Sequence, residues 1–211
     1  MGGVVKNMNE NRRKAISFLT GLLITTSACG QATVPDTVEE SSLAVSAKGE
    51  VKSFCVDSFD KDYYSLAELT QMATAEADAY NAGHTGTEST PVMVEDVKFV
   101  DEDNRLVMIS HQYDSVETYE AFQEASLFLG TVDEAIKAGY DLSEGVQNVK
   151  DGSRISKEKM LEDCEQKVLV TDEKEVIYAP GRVVAISQGI YRDNGTVDTR
   201  DTEGTVVILL K

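Results

Sequence analysis

The chain has 211 residues and a formal net charge of −17 at pH 7, because 37 acidic residues outnumber 20 basic ones. Nucleic acids and anionic lipid head groups bind proteins through clusters of Lys and Arg, so such an acidic surface disfavours both as partners. We expect no nucleic-acid partner, and the length fits one domain of ordinary size.

The first 28 residues have the pattern of a secretory signal. Arg12, Arg13 and Lys14 form a cationic start, and an apolar or small stretch follows over residues 15–28. That stretch is too short to cross a bilayer core of about 30 Å as a stable helix. The order of charge, apolar run and small residues therefore predicts a signal peptide.

Thr26, Ser27, Ala28 and Cys29, followed by Gly30, end this segment. They resemble the lipobox of bacterial lipoprotein precursors, although Thr26 stands where that family prefers Leu, Val or Ile. The resemblance implies cleavage before Cys29, lipidation of its thiol with chains such as palmitate, and anchoring at the extracytoplasmic face of the cell membrane.

Two alternatives remain open for this segment. Ordinary signal peptidase cleavage after Gly30 or Ala32 would release a soluble secreted protein, and an uncleaved segment would keep the whole chain. A lipidated form would begin at Cys29 and carry a net charge of −20, since four basic residues and one acidic residue would be lost.

The rest of the chain divides into a tether and a domain. Residues 29–49 mix Thr, Ser, Ala and acids without a helical or strand period, so we expect a lipidated cysteine followed by a flexible tether. Residues 50–211 are patterned and predict a single globular domain. Cys55 and Cys164 lie in it, and an extracytoplasmic location would permit a disulfide between them without requiring one.

The first part of the domain predicts a strand, a helix and a hairpin. The alternating segment "VKSFCVDSF" (51–59) is typical of a half-buried strand. Ser65 and Glu68 have the spacing of a capping box, and apolar residues recur at helical spacing over 66–81. Strand-like segments on either side of the polar turn 101–104 predict a β-hairpin.

Three further helical stretches follow. The first is predicted over 114–128, from its apolar contacts. A short helix is marked by a capping box of Thr131 and Glu134 and by Gly139 at its C-terminal end. Another begins after Ser156, which is a suitable N-cap.

From residue 167 onward the apolar period changes to two. The segments "KEVIYAP", "GRVVAISQGIYR" and "TVVILLK" are therefore predicted as strands. Because βαβ alternation is absent from the sequence, the pattern predicts an α+β fold with a mainly antiparallel sheet packed with two to four helices.

Two longer segments carry a second resemblance. "SFCVDSFDKDYYSLAELTQM" and "TYEAFQEASLFLGTVDEAIKAGYDL" are similar to segments of an uncharacterised group of clostridial-type extracytoplasmic lipoproteins. The resemblance implies a Gram-positive cell envelope and a membrane-tethered protein, and it brings no activity or catalytic residue.

One acidic and aromatic segment is a candidate ligand site. Asp57, Asp60 and Asp62 lie close in sequence to Tyr63 and Tyr64, which suggests carboxylates for a cation or ligand beside a platform of rings. The simpler interpretation is a loop before a helix, where acids favour the positive helix N-terminus. The spacing of a calcium-binding EF-hand is absent.

Other catalytic or metal patterns are weaker. His84 and His111 are predicted on a loop and a strand, so we expect no metal site, and no nucleotide-binding or cofactor motif occurs. A Cys–His pair between His111 and either Cys55 or Cys164 would need the fold to bring them together. No G-x-S-x-G motif is present.

These observations favour a membrane-anchored extracytoplasmic lipoprotein, a binding or envelope-structural module that is more easily explained without catalysis. Its ligand would be a protein, a peptide or a small molecule. The alternatives are an extracytoplasmic hydrolase that uses carboxylates or a cysteine, and a surface module that binds calcium weakly.

Overall fold

The computed structural model describes residues 33–61, 63–84 and 89–211. Cys29 and the signal segment lie outside these ranges. The described part contains four helices: α1 (Leu66–Gly83), α2 (Val116–Gln123), α3 (Val132–Lys137) and α4 (Lys157–Leu161). None of these helices combines the length and the hydropathy that a membrane crossing requires.

Strands in the described part form two sheets. The larger sheet contains β1 (Ser42–Val45), β2 (Val51–Ser58), β3 (Val92–Asp101), β4 (Leu106–Tyr113), β9 (Val176–Tyr178), β11 (Ile190–Tyr191) and β12 (Val197–Asp198). The smaller sheet contains β5 (Leu127–Thr131), β6 (Val146–Asn148), β7 (Arg154–Ile155), β8 (Lys167–Thr171), β10 (Val183–Ile186) and β13 (Val206–Leu210).

The strand order is β11-β12-β9-β1-β2-β4-β3 in the larger sheet and β5-β8-β13-β10-β6-β7 in the smaller one. Among the described strands, β1 and β9 pair in parallel and the other neighbours pair antiparallel. The predicted α+β class with mainly antiparallel pairing is confirmed.

The main core lies between the two sheets. It includes Leu43, Val51 and Ile177 from the larger sheet and Leu169 and Ile208 from the smaller one. The intervening residues of β8 and β13 enter a second core against α3 and α4, which contribute residues such as Val132, Ala135 and Met160. Both faces of β8 and β13 are therefore buried, which explains their continuous apolar sequences.

The predicted tether over 29–49 is too long, because Ser42–Val45 forms β1 in the interior of the larger sheet. All four residues of β1 are buried. A strand that is covered on both faces has no alternation of apolar and polar residues, so the period of two on which the strand prediction depended is missing. The folded region therefore begins before residue 50.

The helix predicted over 114–128 is also too long. α2 ends at Gln123, Glu124 adopts a left-handed backbone with φ 54°, and Leu127 and Phe128 belong to β5. Apolar residues recur at helical spacing beyond the end of α2 because Leu127 and Phe128, the first residues of β5, are themselves apolar. The chain passes from α2 to β5 without a Gly or Pro residue that would mark the boundary.

Other predicted boundaries are confirmed. The Ser65 side chain accepts a hydrogen bond from the backbone N–H of Glu68 at the start of α1. Thr131 and Glu134 form the complete capping box of α3, and Gly139 has a left-handed φ of 94° just beyond it. The hairpin of β3 and β4 turns at the predicted polar residues.

Cys55 and Cys164 do not form a disulfide. Both thiols are free, and they lie on different parts of the fold, in β2 of the larger sheet and after α4 beside the smaller one.

Candidate functional site

The predicted acidic and aromatic segment borders a groove of about 450 Å³. The groove lies between the loop that follows β2, the first half of α1 and one face of β2 and β4. Asp57, Tyr63 and Tyr64 line it. Asp60 instead forms an ion pair with Lys61 at 3.2 Å, and Asp62 lies outside the described residues.

The register of two strands determines the floor of the groove. Cys55 pairs with Ile109 and Asp57 pairs with Val107, so these four side chains share one face of the sheet. Toward the other end of the same face, Tyr113 is covered by the main core. The face is thus buried at one end and open at the other.

The way α1 packs keeps the groove open. α1 contacts mainly β3, and its buried residues are Ala73 and Ala77 near the middle of the helix. Near its C-terminus, the Asn81 side-chain amide donates to the Val92 carbonyl at 2.7 Å and accepts from the Val92 N–H at 3.0 Å. The first two turns of the helix therefore extend beyond the covered part of the sheet.

A row of rings forms one wall of the groove. The Phe59 ring is buried and lies 4.9 Å from the Tyr64 ring, which lies 5.0 Å from the Tyr63 ring, measured between centroids. Arg105 fixes the loop, since its carbonyl accepts from the Phe59 N–H at 2.7 Å and its Nε donates to the Phe59 carbonyl at 3.1 Å.

The mouth of the groove exposes large apolar surfaces. Tyr63 is 76% exposed and Met72, which faces it from α1, is 70% exposed. Leu69 adds to the apolar lining, and Asp57 and Glu68 supply carboxylates. Within the described part of the chain, neither of these carboxylates forms an ion pair, so the groove combines an apolar interior with a negative rim.

The Cys55 thiol lies on the floor of the groove. The residue reaches solvent there, but neighbouring side chains partly desolvate the thiol, and this burial raises its pKa. The nearby carboxylates of Glu175 and Asp57 raise the pKa further. The thiol therefore stays protonated near neutral pH, which is opposite to the low pKa of a nucleophilic cysteine.

His111 lies on the same face, diagonally from Cys55. It pairs with Ser53 in the adjacent position of β2 and β4. The ring is buried against Phe122, with centroids 5.9 Å apart, and its Nε2 has no hydrogen-bond partner. Burial lowers the pKa of His111, while Glu76 acts in the opposite direction. Two neutral groups do not make the thiolate–imidazolium pair of a cysteine hydrolase.

Sequence reasoning missed a set of partly buried polar groups behind the groove. The Tyr119 hydroxyl donates to Glu173 at 2.6 Å, and the Gln123 amide donates to the Tyr113 hydroxyl at 2.6 Å. Glu175 has a buried Oε2 without a partner, and burial, with a smaller effect of Glu173, raises its pKa to about 7. In the sequence these residues lie in separate polar segments, so no local pattern signals them.

Metal ligands do not converge within residues 33–61, 63–84 and 89–211, where no group of three His, Cys, Asp or Glu side chains is placed to hold an ion. His84 caps the C-terminal end of α1 and stacks on Tyr80, whereas His111 is buried on β4.

Comparisons of the chain with protein-family models, with curated proteins and with solved structures find no match.

Proposed function

We propose that this protein is a lipoprotein, anchored through Cys29 at the extracytoplasmic face of the cell membrane, whose domain binds a partner through the groove. The observation that carries the binding role is the exposure of Tyr63 and Met72 at the mouth of an apolar cavity. A contiguous apolar surface of this kind is typical of a ligand-binding groove.

The chemistry of the groove fits a short cationic amphipathic peptide segment. A volume of about 450 Å³ accommodates a few apolar side chains. Methionine adapts its shape to different partners, and tyrosine faces attract cations. The carboxylates of Asp57 and Glu68 at the rim and the net charge of −20 in the form that begins at Cys29 favour a positively charged partner.

A titration tests the groove. A fluorescent peptide of alternating Lys and Leu segments is added to the purified protein, and anisotropy reports binding. We expect the double variant Tyr63→Ala and Met72→Ala to weaken binding about tenfold or more. Met93→Ala, which removes another exposed methionine outside the groove, is the matched control.

The same titration uses a second peptide in which Glu replaces Lys. Weaker binding of this acidic peptide is expected from the charge of the rim. Equal affinity of the wild type and the double variant, or equal binding of both peptides, would reject this groove as a cationic-peptide site.

A separate experiment tests the anchor. Cells that express the protein are grown with radiolabelled palmitate, and label should enter the wild type but not Cys29→Ala. The motivation is the order of charged start, short apolar run and small residues before Cys29. Unlabelled wild-type protein in the culture supernatant would refute the anchor.

Two alternatives from the sequence, a hydrolase that uses a cysteine and a calcium-binding module, have less support. A cysteine hydrolase would need a thiol of low pKa, and the pKa of Cys55 is raised. A calcium site would need several convergent oxygen ligands, and the described carboxylates do not gather in this way. The groove is the feature with the clearest chemical character.

A further inference from the structure

The described chain starts at the end of the larger sheet that is remote from the groove. Val34, Pro35 and Asp36 line a shallow cavity together with Ala44–Ala47, at the turn between β1 and β2. β2 starts beside this turn, and Cys55, its fifth residue and the first that lines the groove, lies about 13 Å farther along the strand. The described chain therefore begins near the end of β2 that is away from the groove.

The same turn borders a second cavity, which we call the lysine cleft. It has a volume of about 410 Å³ and is lined by Lys48 in the turn, Lys167 at the start of β8 and Lys211 after β13. Val116 and Leu210 contribute apolar surface. The cleft thus presents three cationic side chains from separate parts of the chain around an apolar floor.

These three lysines are not fixed by ion pairs, although Lys167 interacts electrostatically with Glu134. Among the described residues, none of Lys48, Lys167 and Lys211 forms an ion pair, and all three are exposed. Five other lysines are paired with acids: Lys52, Lys61, Lys98, Lys137 and Lys159. One acidic side chain, that of Glu117, also lines the cleft, so lysines outnumber acidic side chains there.

We infer that the lysine cleft rests on anionic lipid head groups of the membrane that holds the protein, and that the groove consequently faces away from the bilayer. The inference rests on the proposed lipid anchor at Cys29. Residue 33 follows Cys29 by four positions, which allows a span of about 14 Å at full extension. The tether is therefore short enough to keep this end of the domain near the lipid surface.

The net charge of the protein reinforces this orientation. An anionic surface attracts nearby lysines within about a Debye length, roughly 8 to 10 Å, and repels the acidic remainder of the domain. A charge of −20 in the form that begins at Cys29 disfavours binding when the whole surface is considered, but the three lysines of the lysine cleft reverse the sign locally. Attraction at one end and repulsion elsewhere select one orientation.

Lysine footprinting of the full-length acylated protein tests the inference. The protein is inserted into nanodiscs of phosphatidylcholine alone or with one quarter phosphatidylglycerol, labelled briefly with an amine-acetylating reagent, and digested for mass spectrometry. We expect labelling of Lys48, Lys167 and Lys211 to fall about fivefold in the anionic discs. This factor corresponds to the attraction of a single lysine to an anionic lipid surface. Exposed Lys150 on the β6–β7 connection should be unchanged.

Salt and matched variants identify the cause. In about 0.5 M salt the screening length falls to about 4 Å, so the protection should disappear. The variant Lys48→Gln with Lys167→Gln should also lose protection at Lys211. The control variant Lys150→Gln with Lys157→Gln should keep it.

The outcomes separate this inference from the proposed anchor. Failure of the acylated protein to enter neutral discs would overturn the anchor itself. Stable insertion with equal labelling of Lys211 in neutral and anionic discs, or protection in both, would overturn the lipid contact and leave the anchor intact.

Discussion

Glu40 and Arg192 form an ion pair although 152 residues separate them in the chain. Arg192 also binds Asp198, with 2.5 Å between Nη2 and Oδ2, and Arg200 contacts both carboxylates. The hydrogen bonds from Arg200, followed by those from Arg192, hold the pKa of Asp198 well below its usual range. Two acids and two bases thus fasten the segment before β1 to the β11–β12 edge.

Removing Arg192 should destabilise the domain in a pH-dependent manner. Arg192→Ala is expected to lower the free energy of unfolding by about 1 kcal/mol at pH 7, a modest value because the cluster is partly exposed. The pKa values of Glu40 and Asp198 are lowered in the folded state, so their stabilisation is present above the unfolded pKa of about 4 and is lost as pH falls.

Urea unfolding at pH 7 and pH 3 measures this loss. The difference between Arg192→Ala and the wild type should shrink at pH 3. Lys150→Ala, which removes an exposed and unpaired cation, is the control. An Arg192 effect as small as that of the control at pH 7 would contradict the structural role of the cluster.

Glu175 should destabilise the protein as pH rises. Its pKa is raised to about 7 from an ordinary value of 4.5, so the folded state holds a proton that the unfolded state releases between these pH values. The contribution of protonated Glu175 to the free energy of unfolding is fully present below about pH 4.5 and is lost by about pH 7. The free energy of unfolding falls by about 3 kcal/mol over this range.

The variant Glu175→Gln cannot titrate and should be more stable than the wild type at pH 8, with little difference at pH 4.5. Unfolding in urea at several pH values measures the difference between the two curves. Glu165→Gln, at an exposed position, serves as the control. Parallel curves for the wild type and Glu175→Gln would show that the pKa of Glu175 is the same in the folded and unfolded states, which would contradict its raised value.

The role of β1 in the core predicts a large effect of Leu43. Its side chain is 0% exposed and packs between the two sheets. Leu43→Ala should lower the free energy of unfolding by about 3 kcal/mol, through lost burial and the cavity left behind. In the same part of the chain, Val34→Ala should cost less than about 0.5 kcal/mol, because Val34 is 41% exposed. Similar small effects of both changes in urea unfolding would mean that residues 42–45 are a tether after all.

The raised pKa of Cys55 predicts slow reaction with thiol reagents near neutral pH. Thiolate is the reactive form, so the rate of alkylation at Cys55 should still be rising above pH 9. Residue-specific mass spectrometry after iodoacetamide treatment distinguishes Cys55 from Cys164. A rate that is already constant at pH 7 would indicate a thiolate and would revive the hydrolase alternative. Bound peptide should slow the reaction at Cys55, since this thiol lies on the floor of the groove.

The local signals in the sequence predicted local structure well. Thr131, Glu134 and Gly139 marked both ends of α3 because capping chemistry depends on residues within one turn. β1 was missed because its four residues are all buried and carry no period of two. The division into two sheets depends on pairings between distant strands, such as β13 with β8 and β10, which no local pattern specifies.

The candidate site was predicted in part. Asp57, Tyr63 and Tyr64 are close in sequence and do line the groove. Ile109 and Cys55 could be placed beside them only with the register of β2 and β4. Met72 is one of the apolar residues that recur at helical spacing over 66–81, but it is exposed because the helix packs through Ala73 and Ala77. The floor and far wall of the groove are therefore products of tertiary structure.

The path of the chain before β1 determines how the domain would respond to tension. From Val34 the chain passes Val38, which packs against Phe54, reaches the ion pairs of Glu40 and then reverses into β1. A pull on residue 33 would load these contacts first. β1 would be loaded next, and its bonds to β2 and β9 would have to shear together rather than unzip one at a time. Traction applied at residue 33 would thus be absorbed by the ion-pair cluster and β1 before it reached β2, which forms the floor of the groove.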